Sequence, residues 1–326
     1  MFMTKDRKIE DLVKDAGRIG ISGHIRPDGD CIGSVMGLYL YLRKKYPEKQ
    51  IQVFLDQPPR EFSCIKDLDQ IQSSYRAEQI LEEQGRFDVF FAMDTAKDRL
   101  GEAEKLFDTA AQSVNIDHHI TNHGSGAVNY LDGSASSTSE LVCRLLSWEE
   151  LDCDIAQALY IGIMHDTGVF QYSNTSRSTM ETAGRLMEYG FDFPMLIDQT
   201  FYEKTYVQNL LLGRALLNSI LFMDGRCIVS EIEKRTLEFY QASSEDISGV
   251  VSQLIRTKGV ECAIFMYPTG VLEYKVSMRS KGKVDVAAIA QYFGGGGHVR
   301  AAGCTMNGTF HDVVNNLSLH IENQLG

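Results

Sequence analysis

The sequence predicts an α/β protein with an N-terminal, largely parallel sheet flanked by helices and a smaller C-terminal α/β unit. Three observations carry this. Short β-branched or aromatic runs at 18–23, 50–55, 87–93 and 112–116 alternate with helical stretches, as in a parallel sheet covered on both faces. Beyond about residue 191 the texture changes, and a helical connection over 194–219 leads to strands near 226–232, 260–267 and 271–278. Acidic and imidazole residues gather where the first strands end, and that edge is where such sheets bind ligands.

The elements follow in order. Residues 32–45 place Ile32, Val35, Met36, Tyr39 and Leu42 on one helical face, and Pro47 stops the run. A second helix is predicted over 136–148, opened by the capping cluster Ser136-Ser137-Thr138 and carrying Leu141, Val142, Leu145 and Leu146. The apolar run Ala158–His165 reads as a strand ending at Asp166. Helices near 284–292 and 311–324 complete the second unit. The pattern divides the chain into domains 1–204 (with its helical connector) and 205–326.

At 326 residues and 44% apolar, the chain can bury substantial cores. Met1–Arg7 lacks the apolar core of a secretory signal, and the greasiest stretch, Leu210–Met223, is broken by Arg214 and Asn218. The expectation is a soluble cytoplasmic protein without a membrane partner. Seven cysteines with no CxxC pair argue against a disulfide framework or a zinc knuckle. A net charge of −12 argues against coating long nucleic acid, but leaves room for a short phosphorylated substrate held by a few cations.

Two runs concentrate hard metal ligands: His24-Ile25-Arg26-Pro27-Asp28-Gly29-Asp30 after the first strand and Asp117-His118-His119 after the fourth. Pro27 and Gly29 supply a turn that brings Asp28 and Asp30 to neighbouring points. Unpaired carboxylates so close oppose each other's ionisation, and two divalent cations remove that cost. Asp94, at the end of the third strand, is the expected bridge, holding cations roughly 3.5–4 Å apart as in two-metal hydrolases. Alone, Pro-Asp-Gly-Asp is a turn and Asp94-Thr95 or Asp166-Thr167 a helix cap. Together with adjacent histidines after a buried strand, they read as a metal centre. Imidazole and carboxylate donors favour Mn²⁺, with Mg²⁺, Co²⁺ or Fe²⁺ as candidates.

These motifs resemble the signature of the DHH phosphoesterase superfamily. In the second unit, Ser277-Met278-Arg279-Ser280 and Phe293-Gly294-Gly295-Gly296-Gly297-His298-Val299-Arg300-Ala301-Ala302-Gly303 are similar to the DHHA1 domain that accompanies it in one branch. The length and two-domain layout look like the bifunctional oligoribonuclease and PAP phosphatase group, the nanoRNases. The resemblance implies one metal on His24, Asp28 and Asp94, and another on Asp30, Asp94, His118 and Asp166. Asp117 would orient His118 through its ring N–H, and His119 would face the phosphate as a catalytic group beside Asp94 and His118. It further implies a cleft between the domains, with short RNA, linear dinucleotides such as pApA or pGpG, and 3′-phosphoadenosine 5′-phosphate as substrates. A homodimer is also expected.

Consecutive glycines let backbone N–H groups approach phosphate oxygens. Gly295, Gly296, Gly297 and His298, read as a loop, are therefore candidate substrate contacts. Arg279, in a locally basic segment whose single acid between 275 and 300 is Asp285, is the candidate phosphate clamp. His165 reads as packing or support beside Asp166, and Cys31 is notable only for its place beside the first ligand run. Rival readings are a RecJ-like single-strand exonuclease, a pyrophosphatase or exopolyphosphatase, and a nucleotide-sensing module without catalysis. The second domain is less rich in cations than a polyphosphate site requires.

Overall fold

The computed structural model describes residues 8–325, so the reading of Met1–Arg7 lies outside the described residues. The chain divides between Glu203 and Lys204 into two units, each with its own sheet.

The first unit is built on six strands: β1 Arg18–Ser22, β2 Gln50–Phe54, β3 Ile71–Gln72, β4 Val89–Met93, β5 Gln112–Asp117 and β6 Val128–Leu131. Their order is β3-β2-β1-β4-β5-β6, and every pairing is parallel. Its helices are α1 Glu10–Val13, α2 Gly29–Lys45, α3 Ala77–Gln84, α4 Glu104–Thr109, α5 Thr138–Leu145, α6 Cys153–Asp166, α7 Arg177–Met187 and α8 Phe193–Ile197. β1 and β4 are buried along their whole length because helices cover both faces. One face packs on α2, α5 and α6 through Ile19, Ile21, Phe91, Leu141 and Leu159. The other buries Phe54, Phe87, Phe90 and Phe107 with α3 and α4. Strand order reverses between β1 and β4, and this places the ligand crevice beyond their carboxyl ends.

The four strands expected in this unit form, and β3 and β6 join them. The apolar run Ala158–His165 is not a strand, which corrects the sequence reading. It is the C-terminal half of α6, so Asp166 ends a helix. A short apolar run fits a buried helix as well as a buried strand, and burial of both sides of α6 erased the periodicity that distinguishes them. The pattern of α2 predicts one apolar face, yet the helix is buried all round from Gly29 to Leu42. Its second face is made of small residues. A Cβ on Gly33 would stand 2.6 Å from the Ala158 carbonyl oxygen and 2.8 Å from the Gly162 Cα, so the two helices touch backbone to backbone.

The second unit holds β7 Ile220–Phe222, β8 Cys227–Glu231, β9 Cys262–Gly270, β10 Glu273–Ser280, β11 Gly296–His298 and β12 Ala301–Asn307, in the order β11-β12-β10-β9-β8-β7. β8 and β9 are parallel and the other pairings antiparallel. Its helices are α9 Tyr206–Leu217, α10 Lys234–Tyr240, α11 Val250–Leu254, α12 Val286–Tyr292 and α13 Phe310–Leu325. α12 and α13 pack one face, around Val276, Met278 and Leu317, while α9 and α11 pack the other, around Leu211, Leu254 and Phe265. The glycine run departs from the loop expected. Gly294 turns the chain at φ 75°, and Gly296–His298 pairs with Ala301–Gly303 as an exposed edge strand. Among the described residues no helix is long and apolar enough to cross a membrane.

Candidate metal centre

Four of the six predicted ligands, His24, Asp28, Asp94 and His118, leave the carboxyl end of a strand of the first sheet or the turn that follows, while Asp30 lies in the first turn of α2 and Asp166 ends α6. His24 lies just past β1 and is 5% exposed. Its Nδ1 is 3.0 Å from the Ile25 carbonyl oxygen, an acceptor that fixes the ring proton there and leaves Nε2 to face inward. Nε2 stands 3.6 Å from Asp28 Oδ1 and 3.5 Å from Asp94 Oδ2. Asp28 caps α2, its Oδ1 accepting from the amides of Asp30 and Cys31. Asp94 follows β4 in a left-handed conformation (φ 60°) that a non-glycine residue adopts at a cost.

His118 closes the second half. Its Nε2 lies 3.6 Å from Asp94 Oδ1, 3.5 Å from Asp166 Oδ2 and 4.0 Å from Asp30 Oδ2. Asp94 thus reaches His24 with one oxygen and His118 with the other. All six residues expected as ligands converge: His24, Asp28, Asp30, Asp94, His118 and Asp166.

Asp117 behaves differently from the expectation. It serves His119, not His118: its Oδ1 is 2.7 Å from His119 Nδ1 and accepts the His119 backbone N–H at 3.0 Å, while Oδ2 accepts from Asn122 at 2.6 Å. The reason is the turn after β5. It folds residue 119 back over residue 117, so the acid meets the ring two positions on. His119 is the more open imidazole, with 42% of its side chain exposed against 14% for His118.

Electrostatics follow from this crowding. Burial, reinforced by Asp30, drives the Asp94 carboxyl well above its ordinary range, and burial likewise raises Asp30. Burial and the neighbouring Asp30 and Asp28 push Asp166 up to about 8. Burial opposes charge on His24, yet Asp28 and Asp94 hold it up to about 10. The Asp117 hydrogen bond lifts His119 to about 9. Buried acids that retain protons while facing imidazole nitrogens are suited to divalent cations, which relieve the repulsion. The donor atoms of Asp30, His118 and Asp166 lie within 4.8 Å of one another, as do those of Asp94, His118 and His119. The donor set therefore fits a pair of hard or borderline cations.

A pH dependence follows. Without cations, His24, His119 and Asp166 keep protons that the unfolded chain has released by about 6.5 for histidine and about 3.9 for aspartate. The native state then binds more protons, so its stability falls as pH rises through about 6.5 to 10. Melting of chelator-treated protein across that range should show a declining Tm, with Mn²⁺ raising Tm most at the alkaline end. A Tm that climbs with pH in chelator would oppose this charge assignment.

Several contacts have no signature in the sequence. Thr138 Oγ1 donates to Asp94 Oδ1 at 2.9 Å, and Asp30 accepts from the amides of Thr138 at 2.6 Å and Ser139 at 2.9 Å. Asn174 Nδ2 donates to the carbonyls of Asp166 and Ser136. Cys31 does more than sit beside the ligand run, since its sulfur lies within 4.8 Å of donor atoms of His24 and Asp94. Burial and the adjacent carboxylates raise its thiol far above the usual range. His165 is a packing residue: it sits between the rings of Phe62 and Phe201, with Nε2 3.0 Å from Thr200 Oγ1. Burial lowers it to about 4.

In the second unit, Arg279 on β10 is opposite Ala301 on β12, and Ala301 is opposite His298 on β11. Directly opposed residues share a sheet face, so Arg279 and His298 project to the same side. The Arg279 guanidinium donates to the Met278 carbonyl at 3.0 Å.

A parallel sheet with this acid–imidazole cluster at its switch point, followed by a mixed-sheet unit, defines a metal-dependent hydrolase of the DHH/DHHA1 phosphoesterase class. Family models agree with that assignment: the DHH family N-terminal domain matches residues 18–163 and the DHHA1 domain residues 224–325. The chain belongs to the DHH/DHHA1 phosphoesterase superfamily. It is 31% identical over 291 residues to the bifunctional oligoribonuclease and PAP phosphatase NrnA of Bacillus subtilis (strain 168), covering 87% of both chains. Its identity to the Thermus thermophilus protein of the same name is 29% over 315 residues, covering 94% of this chain and 90% of the relative. Among solved structures, an exopolyphosphatase-related protein from Bacteroides fragilis superposes with a TM-score of 0.85 at 26% identity, covering 95% of this chain and 93% of that one.

Proposed function

We propose that this protein is a two-metal phosphoesterase, with Mn²⁺ as its cation. It would hydrolyse short oligoribonucleotides and linear dinucleotides such as pApA and pGpG to mononucleotides, and 3′-phosphoadenosine 5′-phosphate to AMP. One observation carries the reading: four carboxylates and two imidazoles from separate elements converge at the switch point, with Asp94 shared between both halves. The names of the B. subtilis and T. thermophilus relatives support the substrate class.

His24, Asp28 and Asp94 would hold one cation, and Asp30, Asp94, His118 and Asp166 the other. Bound there, the pair would supply a water of lowered pKa and neutralise charge developing on the phosphoryl oxygens. The chain's own part is positional and acid–base. Asp117 anchors His119 at Nδ1, so the ring presents Nε2 outward. That hydrogen bond favours the protonated ring, and His119 would donate a proton to the leaving oxygen. Asp94 and His118 act as catalytic ligands beside it. Arg279, Gly295, Gly296, Gly297 and His298 would bind substrate phosphate: the exposed edge strand Gly296–His298 brings backbone close to it, and the guanidinium offers a bidentate fork, while the Gly295 N–H is held by the Ala290 carbonyl at 2.8 Å and would contribute shape instead of a donor.

An assay in Mn²⁺ with pApA, short RNA, 3′-phosphoadenosine 5′-phosphate and pyrophosphate at matched concentrations tests the reading. The expected result is release of mononucleotide or phosphate from the first three in preference to pyrophosphate. Turnover confined to pyrophosphate or longer polyphosphate would overturn it in favour of the rival hydrolase. Arg279→Ala should raise KM for nucleotides about ten-fold or more while slowing bis-p-nitrophenyl phosphate far less. Equal effects on both substrates would remove Arg279 from the binding role.

A further inference from the structure

We infer that Thr138 is a positioning residue that sets the affinity for divalent cations, by fixing the carboxylates of Asp94 and Asp30 from the first turn of α5. The inference rests on the metal-dependent reading above. Its geometric basis is that Asp30 and Asp94 both receive hydrogen bonds from this turn. The Thr138 hydroxyl donates to Asp94 Oδ1 at 2.9 Å, and its amide donates to Asp30 Oδ2 at 2.6 Å. The adjacent Ser139 amide donates to Asp30 Oδ1 at 2.9 Å. One donor on each Asp30 oxygen leaves a further lone pair on each, and the hydroxyl fixes the plane of the Asp94 carboxylate that the two halves share.

The turn is itself anchored from behind. Ser137 caps α5, its hydroxyl accepting from the Glu140 amide at 3.0 Å. Glu140, 0% exposed, accepts from the Ser136 amide and hydroxyl, from Ser178 and Thr179 of α7, and from Arg144. Asn174 Nδ2 ties the Ser136 carbonyl at 2.9 Å to that of Asp166 at 3.1 Å. Asp30 and Asp94 therefore take their positions from one clamped segment, to which Asn174 also ties the backbone of Asp166. The capping role belongs to Ser137, so the Thr138 hydroxyl is not required for the helix. Its one hydrogen bond goes to the acid that faces both histidines. Hydrogen-bond partners behind metal ligands of this kind change affinity by about 10- to 100-fold when removed.

The test compares Thr138→Val, which keeps shape and amide but loses the hydroxyl, with Thr138→Ser, which keeps the hydroxyl. The readout is Mn²⁺ binding to the full chain by calorimetry and by electron paramagnetic resonance of free Mn²⁺. The expected result is a Kd raised about 10- to 100-fold for valine and near the parent value for serine, with Tm in chelator close to parent for both. Should the valine variant fail to fold, Thr138→Ala makes the same comparison. Unchanged Kd in the hydroxyl-less variant, or equal weakening by serine, overturns the inference. Those results leave the phosphoesterase reading standing, whereas a parent protein that binds no Mn²⁺ defeats both.

Discussion

Replacing Asp94 by asparagine is expected to lower kcat for a phosphodiester by about a thousand-fold or more, roughly 4 kcal/mol of barrier. Stability in chelator should match or exceed that of the parent. Its position explains both halves. One Asp94 oxygen lies 3.5 Å from His24 and the other 3.6 Å from His118, so its charge would serve both proposed cation positions, and a neutral amide would serve neither as well. Without cations the same carboxylate is 2% exposed and driven above its ordinary range by burial and Asp30. Asparagine carries no charge to bury and tolerates the left-handed φ of 60° at this position. Steady-state kinetics in Mn²⁺ and melting in EDTA check the two halves together. Near-normal turnover would remove Asp94 from the shared position, and a large loss of Tm in EDTA would mean that it is structural.

Gly162→Val is expected to destabilise the first unit by about 3 kcal/mol, the upper end for overpacking a core. For a unit of this size that corresponds to a Tm lower by about 6–12 °C. α2 and α6 touch through their backbones here, and a Cβ at residue 162 would stand 1.9 Å from Ser139 Oγ and 2.9 Å from Asp30 Oδ1. Ser139 belongs to the turn that holds Asp30, and the displacement therefore passes into the metal centre. Mn²⁺ affinity should fall along with Tm. Thermal melting and Mn²⁺ titration of the same sample measure both. A variant with parental Tm would show that the helices part at little cost.

Much of this arrangement is readable from residue order alone, for a physical reason. β1, β2, β4 and β5 are short and apolar and end at polar or glycine residues, so their boundaries are marked in the chain. The ligand runs sit directly after β1 and β5, and proximity in sequence became proximity in space. The second unit's β8, β9, β10, α12 and α13 are legible on the same grounds. β3 has two residues and β6 four, too few to impose a period. Asp166 stands out as a candidate ligand, but the pattern places it on the wrong element because α6 is apolar on both sides.

The contacts that escape such reading are those made by folding rather than by pattern. Thr138 meets Asp30 across 108 positions and Asp94 across 44, and no spacing rule reports such a pair. Asp117 chose His119 over His118 through a turn whose shape depends on Asn115 and Asn122, which are joined by a 3.0 Å hydrogen bond. The glycine run became an edge strand because Ala301–Gly303 was available to pair with it.

The most direct measurement is anomalous diffraction at the manganese edge from crystals grown with Mn²⁺. Two peaks flanking Asp94, one beside His24 and the other beside His118, are the expected result. A map with no manganese in this crevice, or with manganese bound elsewhere on the molecule, would show that the acid–imidazole cluster does not hold the cations on which the proposed hydrolysis depends.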